Sequence, residues 1–125
     1  MSSGMSKLLI VEDDESVRMF TARALMASGH TVETAADGED GLMAIRNAQG
    51  GFDLVLSDIR MPIMDGIEMA KHAATAFPGL RILLMTGYAE QRERASDLER
   101  IILDVVPKPF TLAEIRSKVM TALAA

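Results

Sequence analysis

Four places in this chain carry side chains able to do chemistry together: Glu12-Asp13-Asp14, Asp58, Thr86 and Lys108. Each stands at or just after a short apolar run. Carboxylates crowded into one place repel one another, so they either hold protons at raised pKa values or bind a cation. A hard, oxygen-seeking divalent ion suits them, and Mg²⁺ suits them best, because it takes one or two carboxylates and keeps its other positions for water and phosphoryl oxygens. An aspartate that attacks phosphorus forms an acyl phosphate, and the transfer needs positive charge against the phosphoryl oxygens. Asp58, Asp13 and Lys108 fit these roles as acceptor, metal ligand and cation. The Thr86 hydroxyl can donate to a phosphoryl oxygen and move toward one newly arrived. Singly, such residues are common in helix caps and turns. Their recurrence at four strand ends points to the chemistry.

For these groups to meet, the chain must gather its strand ends at one edge, as an open parallel sheet does. Short apolar runs alternate with segments of helical period about five times, the pattern of βαβ units with helices on both sheet faces. Leu8 to Val11 reads as the first strand, and Val17, Phe20 and Ala24 as a helical stripe ending at Gly29. Thr31 to Ala35 is a β-branched alternating run, Asp37-Gly38 a turn, and Leu42 with Ile45 a second helix that stops at Gly50-Gly51. Phe52 to Ser57 and Leu80 to Met85 are expected as central strands, separated by a helix over Ile67 to Ala76 that Pro78-Gly79 ends. Ala89 to Arg100 is the most polar stretch, a poorly packed helix or a mobile loop. The last strand, near Ile102 to Val106, leads through Pro107-Lys108-Pro109 to a helix opened by the Thr111-x-x-Glu114 capping pattern. The fold class is therefore α/β, a doubly wound five-stranded parallel sheet of (βα)5 order.

The 125 residues fit one domain. Residues 1–6, with a second methionine at Met5, read as an appended remnant, an alternative start or a disordered beginning, so the domain is expected over 7–125. A net charge of −5 without a basic stripe argues against nucleic acid as partner. Absence of cysteine removes disulfides and thiolate metal sites. The apolar runs fall well short of the roughly 18–20 residues that cross a bilayer, no signal-peptide pattern opens the chain, and a cytoplasmic location is expected. His30 and His72 lack partner spacing for a metal site, and most of the ten methionines are expected in the core, with Met61 and Met64 beside the Asp58 loop.

With these residues in hand, the chain resembles the receiver domains of response regulators from about Lys7 to its end. The resemblance rests on Leu8-Leu9-Ile10-Val11-Glu12-Asp13-Asp14, on Asp58-Ile59-Arg60-Met61-Pro62-Ile63-Met64-Asp65-Gly66, on Leu84-Met85-Thr86-Gly87 and on Lys108-Pro109-Phe110. It implies the flavodoxin-like fold, phosphorylation of Asp58, and Mg²⁺ bound by Asp13, Asp58 and the backbone carbonyl of Arg60, with Glu12 acting through water. The family's acidic pair stands with its second member five residues before an Arg; Arg18 thus selects Glu12 and Asp13, with Asp14 an alternate. A cis peptide before Pro109 is implied as well, and Arg60 and Tyr88 are placed near the phosphoryl group.

Two departures from the family pattern matter. Val105 stands where many receivers have a switch Tyr or Phe, and Ser96-Asp97-Leu98-Glu99-Arg100 replaces the usual small-residue approach to the last strand, which predicts a fourth helix that is short, shifted or mobile. Thr86-Gly87-Tyr88 and that polar segment are similar to the stand-alone CpdR-type regulators of α-proteobacteria, which implies a role in regulated proteolysis through the ClpXP machinery or an adaptor. The implied partners upstream are a sensor histidine kinase or a histidine phosphotransfer protein. The leading reading is a non-enzymatic phosphoacceptor that switches its protein-binding surface. A phosphorelay carrier is the alternative. A Mg²⁺-dependent phosphohydrolase would place a second Asp where Arg60 stands, and a flavin binder would not follow its first strand with acids.

Overall fold

The computed structural model describes residues 6–125. The reading of the first six residues falls, but for Ser6, outside the described part. Five strands, β1 (Lys7–Val11), β2 (Thr31–Ala35), β3 (Leu54–Asp58), β4 (Ile82–Thr86) and β5 (Asp104–Pro107), alternate with five α-helices. The helices are α1 (Glu15–Ala27), α2 (Gly38–Asn47), α3 (Gly66–Ala76), α4 (Ala89–Ala95) and α5 (Leu112–Leu123). A 3₁₀ turn over Ser96–Leu98 follows α4.

All strand pairs are parallel, in the order β2-β1-β3-β4-β5. From β1 the chain first winds outward to β2 and then returns past β1 to β3, so the winding reverses between β1 and β3. Ligand crevices of open α/β sheets open at such a reversal, beyond the carboxyl ends of the two strands. Glu12 and Asp13 directly follow β1, and Asp58 ends β3.

Alternation along the strands sorts the core into two layers. Leu9, Val11, Val55, Ile59, Ile82 and Leu84 pack under α2, α3 and α4. Leu8, Ile10, Leu54, Leu56, Leu83 and Met85 pack under α1 and α5. Burial on both faces explains why β3 and β4 read as unbroken apolar runs rather than alternating ones.

The strand order bears out the five-unit α/β expectation, with shifts in the details. β3 and β4 begin two residues later than predicted, and β5 covers Asp104–Pro107 rather than Ile102 to Val106. Ile102 is buried but lies before the strand, in the bend that follows the 3₁₀ turn. The helical spacing of Val17, Phe20 and Ala24 does mark α1, but of the three only Ala24 is buried: the buried residues of α1 are Thr21, Ala22, Ala24 and Leu25, while Phe20 is 42% exposed. Thr21 tolerates burial because its hydroxyl donates to the carbonyl of Val17 at 2.8 Å. Asp37 serves as the N-cap of α2, its carboxylate accepting from the Asp40 N–H at 2.8 Å. The polar segment after β4 is a poorly packed helix of seven residues, with only Ala95 buried in α4 and Leu98 in the turn beyond it.

Candidate functional site

Glu12, Asp13 and Asp14 leave β1 in succession, and their fates differ. Glu12 is 1% exposed, and its backbone carbonyl accepts from the Arg18 guanidinium at 2.8 Å. Asp13 is exposed. Asp14 is the N-cap of α1, with a carboxylate oxygen accepting from the Val17 N–H at 3.0 Å. A cap of this kind satisfies a helix N–H that would otherwise lack a partner. Asp14 is thereby committed to the helix, and the three acids whose oxygens gather within 4.8 Å of one another are Glu12, Asp13 and Asp58.

Lys108 reaches this cluster from the far side of the sheet. Its N–H donates to the Thr86 carbonyl at 2.9 Å, which extends the β4–β5 pairing by one bond, and the peptide to Pro109 is cis. The ammonium lies 2.7 Å from Glu12 Oε1 and 3.3 Å from Asp58 Oδ2. The shorter contact is to Glu12, a pairing the sequence reading did not contain. The other Asp58 oxygen, Oδ1, accepts from the Ile59 N–H at 3.0 Å.

Two carboxylates thus share one ammonium, with Glu12 and Asp58 buried and Lys108 one-fifth exposed. Burial pushes Glu12 up to about 7, with the charge of Asp58 adding to the rise and the Lys108 hydrogen bond opposing it. Burial also raises Asp58 above the ordinary carboxylate range, against the pull of Lys108. For Lys108, burial works against the charge, but the Glu12 hydrogen bond and the Asp58 charge outweigh it, and the ammonium is held above its usual value. The lysine is therefore charged at neutral pH, while the two acids titrate as a coupled pair. Their excess of negative charge is what a cation would neutralise.

Thr86 stands slightly apart. It is 1% exposed, and its hydroxyl accepts from the Tyr88 N–H at 3.1 Å. Among the described residues it makes no hydrogen bond to Asp58, Glu12 or Lys108. Arg60 is exposed, and its guanidinium lies 4.9 Å from the centre of the Tyr88 ring at the rim of the crevice.

The crevice encloses about 990 Å³, with Asp13, Asp58 and Lys108 among its polar walls and Phe20, Tyr88 and Phe110 among its aromatic ones. Phe20 of α1 and Phe110 lie with ring centres 6.5 Å apart. Sequence reasoning missed this ledge because it read Phe20 only as part of the helical spacing with Val17 and Ala24. Its signal was the position of Val17 and Phe20 in the first turns of α1, close to the acids.

The model of the response regulator receiver domain family matches residues 8–120. The sensor kinase CckA of Brucella abortus (strain 2308) is 35% identical over 97% of this chain, which spans 13% of that protein's length. The chemotaxis response regulator CheY4 of Vibrio cholerae superposes with a TM-score of 0.84 and 28% identity, covering 94% of this chain and 98% of its own. A CheX-CheY-BeF3-Mg+2 complex from Borrelia burgdorferi includes a chain that superposes with a TM-score of 0.84 at 25% identity, over 93% of this chain and 87% of that one.

Proposed function

The chain belongs to the response regulator receiver family, and from that premise we propose that it accepts a phosphoryl group on Asp58 with Mg²⁺ and thereby switches a protein-binding surface. The observation that carries this reading is the meeting of Asp58 with Glu12 and Asp13 within 4.8 Å, under an ammonium 3.3 Å from Asp58 Oδ2. Hard oxygen donors and an excess of negative charge fit a hard divalent ion. Asp13, Asp58 and the Arg60 carbonyl would hold it, with Glu12 through water. Mg²⁺, when bound, supplies positive charge beside the phosphoryl oxygens and favours an in-line approach.

The chain's own residues divide the remaining work. Asp58 Oδ1 is held by the Ile59 N–H, and Oδ2 faces Lys108. Lys108 stabilises negative charge arriving there, which is the larger part of what a protein contributes to phosphoryl transfer. Thr86 is tied to the Tyr88 N–H, so a hydroxyl that turned toward a phosphoryl oxygen would disturb the start of α4 directly. Val105 is half-buried and packs against the core cluster under α2 to α4. Switching is therefore assigned to the Tyr88–α4 segment rather than to an aromatic at that position.

The proposed phosphodonor is a sensor histidine kinase or a histidine phosphotransfer protein in the cytoplasm. The resemblance of Thr86-Gly87-Tyr88 and the polar α4 segment to CpdR-type regulators favours an output through ClpXP or an adaptor, acting as a stand-alone regulator. The similarity to part of a sensor kinase favours a second reading, a relay carrier that passes the group to another histidine. No helix among the described residues is long and apolar enough to cross a membrane.

Incubation with Mg²⁺ and acetyl phosphate, followed by intact mass measurement, tests the chemistry. One phosphoryl adduct is expected, absent in Asp58→Asn and in excess EDTA. An adduct that persists in Asp58→Asn, or none in the wild type under conditions that preserve acyl phosphates, overturns the assignment.

A further inference from the structure

Ser57 directly precedes Asp58 and is fully buried, and its hydroxyl lies outside the acidic cluster. On a strand, neighbouring side chains point to opposite faces, so Ser57 lies on the α3 side of the sheet while Asp58 faces the crevice. The Ser57 hydroxyl donates to the backbone carbonyl of Asp58 at 2.9 Å. That carbonyl and the Ile59 N–H belong to one planar peptide unit. The same Ile59 N–H donates to Asp58 Oδ1 at 3.0 Å and to the Met85 carbonyl at 3.0 Å.

We propose that Ser57 is a positioning residue for phosphorylation: by holding the peptide plane between Asp58 and Ile59 from behind the sheet, it sets the orientation of the Asp58 carboxylate. The inference rests on Asp58 being the acceptor, as proposed above. A serine in an apolar layer needs a partner for its hydroxyl, and the strand end supplies one, because a carbonyl at the last residue of β3 has run out of ladder. The surroundings are shaped for this contact. A Cβ at Gly66 would collide with the Asp58 carbonyl oxygen and come within 3.0 Å of Ser57 Oγ. The Gly66 N–H also donates to the Ile59 carbonyl at 2.8 Å, which closes the loop over the far side of the next peptide. The peptide carrying the Asp58 carbonyl is thus gripped by a hydroxyl and by strand β4, and the carboxylate inherits its direction. Transfer to a carboxylate is sensitive to such direction, since reacting atoms must meet in line.

Four proteins separate positioning from packing: wild type, Ser57→Ala, Ser57→Thr and Ser57→Val. Thr and Val have nearly the same shape and crowd the site equally, but only Thr keeps the hydroxyl. Phosphorylation rates at saturating Mg²⁺ and acetyl phosphate are expected to fall about five- to tenfold in the Ala and Val variants, as loss of one buried hydrogen bond would give. Ser57→Thr is expected to be much closer to wild type than Ser57→Val. The Ile59 amide ¹H–¹⁵N resonance reads the peptide plane without any phosphorylation, and should move in Ala and Val and stay near its place in Thr. Equal rates in all four proteins, or rates that follow thermal stability with Thr and Val alike, overturn the proposal. If even the wild type takes no phosphoryl group, the receiver chemistry itself fails, and an unmoved Ile59 resonance in the Ala and Val variants overturns the positioning role separately.

Discussion

The ammonium of Lys108 stands 2.7 Å from Glu12 Oε1, closer than its 3.3 Å to Asp58 Oδ2, although 96 positions of chain separate lysine and glutamate. Glu12 is nearly inaccessible and Lys108 one-fifth exposed, so the pair is held inside the crevice rather than on its rim. A half-removed buried pair leaves an uncompensated charge. Lys108→Met keeps most of the apolar stem and removes that charge. Phosphorylation by acetyl phosphate, read by intact mass, should slow by at least about tenfold. Mg²⁺ affinity should hold or rise, because the acids lose their competing cation; a parallel loss of metal binding would instead mean that the site had collapsed.

Stability without divalent ions should depend on pH through Glu12. Its folded pKa is about 7 against an ordinary 4.5, so the folded state keeps a proton that the unfolded chain has released between those values. This contribution is whole below the lower value and is lost as pH rises through the upper one, by at most about 3 kcal/mol. Urea unfolding in EDTA near pH 5 and pH 8 should show the decline, and Glu12→Gln should lessen it, the remainder belonging to Asp58, which burial also raises. An unchanged slope in that variant would assign the pH dependence elsewhere.

Metal binding should run the other way with pH. A divalent ion favours the deprotonated acids and must displace the proton that burial retains. Mg²⁺ affinity, followed by calorimetry in two buffers of different ionisation enthalpy, should increase between about pH 6 and 8 with proton release. Binding without proton release would contradict a protonated cluster.

Ile63 has a backbone φ of 71° and a side chain 75% exposed. A β-branched residue in the left-handed region is strained by about 1–2 kcal/mol. Ile63→Asn should raise stability by about 0.5–1 kcal/mol, since Asn tolerates that region and little apolar burial is lost. The urea midpoint measures it, and a destabilised variant would show that the side chain has a packing role.

Arg94 of α4 donates to Asp65 Oδ2 at 3.0 Å, while Asp65 Oδ1 caps α3 by accepting from the Glu68 N–H at 2.9 Å. Arg94→Ala should speed amide exchange within α4 while lowering global stability by less than about 0.5 kcal/mol, the usual scale for a partly exposed pair. Asp65→Ala should cost about 1 kcal/mol more, because the cap is lost as well. Equal costs for the two variants would mean that the cap contributes nothing.

The elements themselves were legible in the sequence because their causes are local. Apolar runs of strand length, helical spacing and the Thr111–Glu114 capping box act over a few residues, and the box is present with both of its hydrogen bonds. The recurrence of the βα unit is enough to order five strands into one parallel sheet, because a right-handed crossover leaves few alternatives. The gathering of Glu12, Asp13, Asp58 and Lys108 followed from the same rule, as strand ends of a parallel sheet share an edge. Boundaries were less legible: Phe52 is buried and apolar yet lies before β3, and Ile102 likewise before β5, since burial in a bend and burial in a strand look alike in one dimension.

What the sequence by itself determined is thus the α/β class, the repeating unit and the set of residues that meet at one edge, all consequences of short-range periodicity. The family resemblance had already picked Glu12 and Asp13 over Asp14 through Arg18; only the tertiary structure decided how each of the three acids is held. Glu12 turns inward to Lys108, Asp13 stays open to solvent, and Asp14 is taken by the N-terminus of α1. It likewise turned Phe20 to the crevice and set the Ser57 hydroxyl beneath the Asp58 carbonyl. These outcomes depend on sheet twist, on helix docking and on partners distant in the chain, and a side chain's burial and charge state are set by such partners rather than by its neighbours in sequence.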